Sequence, residues 1–265
     1  MPSVDELCAD LSAEHQDLDA VVGDLDTQAW DLATPAEGWS IRDQISHLTF
    51  FDEQARRAVA EPGAFESSLP AILEDLEGFI SRPLDEGRAM RTEEVLGRWR
   101  RSRTEMLGVL AAADPGRRVP WYGPPMSLAS FVTARLMETW AHGQDIVDAL
   151  RREREPTDRL RHIAFLGVRA RQNSYVANGM AMPDEEVRVD LSSPSGERWI
   201  WNEQADQSVS GKASDFCLVV TQRRHLDDTE LTMEGPMAKE WMSIAQAFAG
   251  PPGPGRRPGQ FRRSK

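Results

Sequence analysis

The chain has 265 residues, 40% of them hydrophobic, and a formal net charge of −12. That length suits one large domain or two ordinary ones, and the apolar share is enough for real cores. The acidic balance argues against a nucleic-acid groove, which needs a basic field. No apolar run reaches the roughly 18 residues of a membrane span, and the acidic N-terminus lacks the basic and apolar regions of a secretory signal.

In chain order, residues 3–25 read as an amphipathic helix, with Ser3 as N-cap and Leu7, Leu11, Leu18, Val22 and Leu25 on one side. "ATPAEGW" (33–39) is turn chemistry. Ser40 then caps a second helix, and Asp43 three residues on makes a capping box with Asp in place of Glu. That helix, "IRDQISHLTFFDEQARRAV", turns Ile41, Ile45, Leu48 and either Phe51 or Asp52 toward the core. A short helix is predicted over 70–81. A long one follows over 92–113, opening with Thr92 and two acids, and a Pro- and Gly-rich loop fills 114–126. The fourth long helix covers about 127–150. Four long helices joined by short connections predict a bundle.

"RREREPTD" (151–158) breaks that pattern at Pro156. Beyond it come a helix over 157–178 and a hairpin from "EEVRVDL" and "ERWIWN". "DQSVSG" is a third strand, "TELTMEG" a fourth, and "ASDFCLVVTQRR" and "PMAKEWMSIAQAFA" are helices. Alternation puts Trp199 and Trp201 on one face, most simply the core face. The tail "GPPGPGRRPGQFRRSK" has no core-forming pattern and reads as loose. The expected division is therefore 1–155, 156–250 and a tail over 251–265, α+β overall. Cys8 and Cys217 are distant and form no metal or disulfide pattern, so both are expected as free thiols in a reducing cytoplasm.

The segment "ARLMETWAHGQDIVDAL" (134–150) carries the chemistry. Spacings of four and three put Glu138, His142 and Asp145 on one helical stripe, extended by Arg135. Apolar residues flank the stripe on both sides, so it points into a core or cleft, where charges need partners. Glu and His at i, i+4 aim at one point, as a zinc site on a helix requires. An ordinary Glu–His hydrogen-bonded pair is the alternative. Of the other histidines, His47, between Ile45 and Leu48, is the best third ligand.

"GWSIRDQISHL" (38–48) and "METWAHGQD" (137–145) resemble the DinB-like metal-binding bundle superfamily, in its mycothiol-dependent maleylpyruvate isomerase branch. The resemblance implies an N-terminal DinB-like four-helix bundle followed by a small C-terminal α+β domain resembling sterol-carrier folds. It implies His47, Glu138 and His142 as metal ligands with Asp145 behind the last. It also implies Arg223 as the contact for an anionic substrate. Gln222 stands where the family has Gly, and Arg224 adjoins, so the register is open by one residue. The implied cofactors are a divalent metal, Zn²⁺ by preference, and mycothiol. The implied partners are a low-molecular-weight thiol and a small substrate, with no nucleic acid and no membrane. In that branch the thiolate adds to a conjugated double bond, the single bond rotates and elimination gives the trans isomer. "VPWYGPPMS" and "AQAFAGPPGPGR" point to a subfamily whose substrate can differ. Two alternatives stay open: activated-water or Lewis-acid chemistry on the same metal, and a non-catalytic metal or ligand carrier.

Overall fold

The computed structural model describes residues 2–253 and 255–261, and the chain divides into two compact units between Glu153 and Arg154. The first is helical. Helix α1 (Val4–Val22) starts at Ser3, whose hydroxyl accepts from the Glu6 N–H while the Glu6 carboxylate accepts from the Ser3 N–H at 2.7 Å. Ser40 and Asp43 repeat this box at the start of α2 (Ile41–Ala60). Each box satisfies helix-start donors that would otherwise be unpaired.

Helices α3 (Pro62–Glu74) and α4 (Leu76–Ala89) stand where one short helix over 70–81 is expected. Apolar periodicity runs through the joint and hides it. Pro62 opens α3, and the Asp75 carboxylate accepts from the Gly78 N–H at 3.0 Å to start α4. Pro70 and Pro83 sit inside these helices, each at the loss of a backbone donor. Helix α5 (Thr92–Ala112) is capped from Arg91, whose N–H donates to Glu94 at 3.1 Å, so Thr92 is its first helical residue. The expected loop over 114–126 holds a small ribbon, β1 (Arg118–Val119) antiparallel to β2 (Met126–Ser127). The Ser127 hydroxyl then caps α6 (Leu128–Ala149). Helix α2 packs on α4, α5 and α6, and α1 packs on α5 and α6, so α1, α2, α5 and α6 form the bundle. Its core includes Leu18, Trp30, Ile45, Leu48, Trp99 and Ile146.

The second unit opens with α7 (Leu160–Arg169) and α8 (Arg171–Ala177), two helices parted at Ala170 rather than one. Strands β3 (Val187–Ser192), β4 (Arg198–Trp201), β5 (Gln207–Lys212) and β6 (Thr232–Glu234) form one sheet in the order β4-β3-β5-β6. The β3–β4 hairpin is antiparallel, and β5 runs parallel to β3 with Val189 opposite Val209. Trp199 is buried and Trp201 half-buried, while Ile200 between them is exposed, which is the expected alternation.

Helix α9 (Ala213–Val220) ends before the arginines, and Gln222 takes a left-handed φ of 59°, so Arg223 and Arg224 leave the helix axis. Helix α10 (Pro236–Ile244) also stops short of the expected end at 249. In the tail, the Gly259 N–H donates to Asp228 at 2.8 Å, and the Arg224 guanidinium lies 4.1 Å over the Phe261 ring. Pro254 and residues 262–265, also read as part of a loose tail, lie outside the described residues. Both cysteines are buried and free. No described helix is long and apolar enough to cross a membrane.

Candidate metal centre

Packing of α2 against α6 brings two polar stripes face to face. On α2, positions 44, 47 and 51 follow helical spacing and carry Gln44, His47 and Phe51. On α6 the stripe is Arg135, Glu138, His142 and Asp145. His47, Glu138 and His142 each offer one ligand atom, and these atoms lie within 4.8 Å of one another. His142 Nε2 is 3.3 Å from Glu138 Oε2. Bonds of about 2.0–2.1 Å around a tetrahedral ion give ligand–ligand edges of about 3.3–3.4 Å, so this separation fits a shared ion. It is long for a charge-assisted hydrogen bond, which closes to about 2.7–2.9 Å.

Aromatic rings wall the cluster. The His47 and His142 rings are 4.4 Å apart between centroids. Trp39 stacks on His142 at 6.0 Å and 16°, and lies 5.0 Å from His47. Phe51 closes the other side of His47 at 4.6 Å. Burial raises the Glu138 pKa, but the close approach of His142, with the charges of Arg135 and His47, outweighs it and holds the carboxyl at about 2. The ligand candidate is thus ionised, as metal binding needs.

His142 Nδ1 lies 2.5 Å from Gln44 Oε1. The Gln44 amide donates to Thr34 Oγ at 2.9 Å, and the Thr34 hydroxyl donates to the Trp39 carbonyl at 2.9 Å. Gln44 and Thr34 were not singled out in the sequence. The available signal was the place of Gln44 three residues before His47, on the same stripe.

The other site candidates fall differently. Asp145 is fully buried one turn beyond His142, whose Nδ1 faces Gln44. Arg135 donates to Asp52 of α2 at 2.8 Å, and both side chains are at most 4% exposed. Burial raises the Asp52 carboxyl to about 6, with Arg135 pulling the other way. His15, on α1, is buried edge-on to Trp99, and burial helped by the charges of Arg103 and Arg135 lowers it to about 3. Arg223, in the second unit, is half-buried, and its Nη1 donates to the Thr221 carbonyl at 2.8 Å. Arg224 Nη1 donates to the Arg223 carbonyl at 2.7 Å.

Fold and cluster together define a helical bundle with a candidate ligand set of two histidines and one glutamate, followed by an α+β unit. The family model of the mycothiol maleylpyruvate isomerase N-terminal domain matches residues 11–147, a span holding all three ligand candidates. Two uncharacterized proteins of Mycobacterium tuberculosis, from strains CDC 1551 / Oshkosh and ATCC 25618 / H37Rv, are each 46% identical over 249 residues, covering 94% of this chain and 97% of theirs. The chain belongs to the mycothiol maleylpyruvate isomerase N-terminal-domain family. Crystal structures of the mycothiol-dependent maleylpyruvate isomerase and of a mutant of it match with a TM-score of 0.56 each. They are 15% and 14% identical and cover 89% of this chain and 96% of theirs, a likeness of fold.

Proposed function

We propose that this chain is a mononuclear metal-dependent enzyme that uses a low-molecular-weight thiol, mycothiol by family, to isomerise or transfer to a small unsaturated or carboxylate-bearing substrate. The observation that carries the reading is the convergence of His47, Glu138 and His142 within 4.8 Å on facing helices. A Zn²⁺ held by these three side chains would keep a position open for a thiol and favour its thiolate at neutral pH. The chain's own residues do the rest. Trp39 and Phe51 flank the histidines and limit water around them. Arg223 is proposed to hold the substrate carboxylate through a charge-assisted pair. Asp145, fully buried one turn behind His142, is proposed to help orient that ligand. A reducing cytoplasm suits the two free buried thiols.

The test combines metal analysis, thiol-binding calorimetry and turnover of maleylpyruvate with mycothiol on the full chain. One zinc per chain is expected, with thiol binding only in the metal-loaded protein. His142→Ala should lose the metal, and full metal content in that variant would sink the site. Metal without thiol binding would move the reading to activated water. Arg223→Ala should keep the metal and lower kcat/KM by about 1.5–3 kcal/mol in transition-state terms, the scale of a hydrogen bond to a charged group. Unchanged kcat/KM would remove Arg223 from the site.

A further inference from the structure

We infer that Gln44 and Thr34 are positioning residues that preset the tautomer of His142, placing its proton on Nδ1 and leaving Nε2 bare toward Glu138. The inference takes its consequence for metal binding from the function proposed above, but the tautomer is a property of the metal-free chain.

The direction of each hydrogen bond follows from the far end of the relay. The Thr34 hydroxyl has one proton. It lies 2.9 Å from the Trp39 carbonyl and 3.5 Å from that of Ala36, and a carbonyl can only accept. The proton therefore goes to a carbonyl, and Thr34 Oγ is left as an acceptor toward Gln44. The nitrogen side of the Gln44 amide must face Thr34, at 2.9 Å. Its oxygen then faces His142 Nδ1 at 2.5 Å, so Nδ1 must donate. Turning the amide over would oppose Oε1 to Thr34 Oγ and pull the hydroxyl proton off the carbonyls. The Trp39 carbonyl would then keep only the Thr34 N–H, at 2.8 Å, and with Gln44 fully buried and Thr34 nearly so there is little water to replace the lost bond.

With Nδ1 protonated, His142 presents a lone pair from Nε2 to the Glu138 carboxylate, 3.3 Å away. Two acceptors then face each other at a separation that fits a shared cation. The relay ends at Trp39, whose ring stacks on the same imidazole. One loop thus sets both the protonation pattern and a ring wall of the site. Gln rather than a carboxylate does this work, so the ligand is oriented with no added negative charge.

The experiment uses the full chain with ¹⁵N-labelled histidine. Long-range ¹H–¹⁵N spectra of the metal-free protein should show His142 in the Nδ1–H form, and Gln44→Leu should shift it toward Nε2–H. Competition with a chelator for Zn²⁺ should show affinity falling about 10–100-fold in Gln44→Leu, the usual cost of losing a ligand's outer partner. Thr34→Val should weaken Zn²⁺ less, and Gln44→Glu, which still accepts from Nδ1, should restore both readouts. A wild-type His142 in the Nε2–H form would overturn the inference. So would an affinity loss in Gln44→Leu that Gln44→Glu fails to rescue. A wild-type chain that binds no Zn²⁺ would overturn the metal reading instead, and the tautomer spectra would still decide the relay.

Discussion

Two turns of α6 face α2 through polar groups, and they solve the same electrostatic problem in opposite ways. At Arg135 the charge meets Asp52 at 2.8 Å, and the pair is neutral without any guest. One turn on, Glu138 meets two imidazoles, and the cluster has net negative charge when both are neutral. Both places sit in the same bundle between the same helices. The difference teaches that a buried polar stripe is not itself a site. What marks a site is the imbalance of charge that remains after the protein has paired everything it can.

The comparison breaks most clearly at its balanced end. Arg135→Ala should destabilise the fold by about 3–5 kcal/mol, because it strands the buried Asp52 carboxylate. Denaturant unfolding measures this, and added Zn²⁺ should not rescue it. Replacing both partners, Asp52→Leu with Arg135→Met, should come back close to wild type. A single variant as stable as the wild type would mean that the pair is not desolvated.

His15 borders the same end and tests whether it can take another positive charge. Its folded pKa of about 3 lies below the usual value of 6.5, so folding keeps it neutral. The stability this supports is complete above pH 6.5 and falls as pH drops toward 3. Asp52, with its raised pKa, shifts stability the other way between about pH 4 and 6, so the wild-type curve alone mixes the two. Comparing the wild type with His15→Leu separates them. Between pH 7 and 5 the wild type should lose about 2 kcal/mol relative to the variant. Parallel curves would show that His15 can be protonated in place.

The smallest expected effect is at the start of α2, which carries both halves of the comparison. Ser40→Ala removes one side of the capping box and should cost about 1 kcal/mol of stability. Zn²⁺ affinity should change little, since Gln44 and His47 lie one and two turns inside the helix. A large loss of affinity would show that the helix start itself shapes the metal end.

The parts of this architecture that are local in sequence were legible there. The boxes at Ser3 and Ser40 are short-range chemistry, and the i, i+4 pair of Glu138 and His142 is a single-helix property. Mid-helix His47 could be singled out because an imidazole between Ile45 and Leu48 has to face something. What depends on facing elements was hidden. Nothing in the sequence says that Asp52 rather than Glu138 takes Arg135, or that Gln44 lies against His142 across 98 residues. The joint at Asp75 was missed because apolar periodicity continues through it. The parallel pairing of β3 with β5 was unreadable because the strand between them turns back along β3. The end of α9 was overrun because Gln222 gives no warning of a left-handed turn.

The Arg135–Asp52 bond also has a mechanical meaning. It joins the same two helices that carry the three ligand candidates, with Asp52 five residues beyond His47 and Arg135 three before Glu138. It therefore acts as a pin that fixes the sliding register of α6 on α2. A slip of one helical turn, about 5.4 Å, would take the pair beyond ion-pair reach and part His47 from Glu138 and His142 in the same movement.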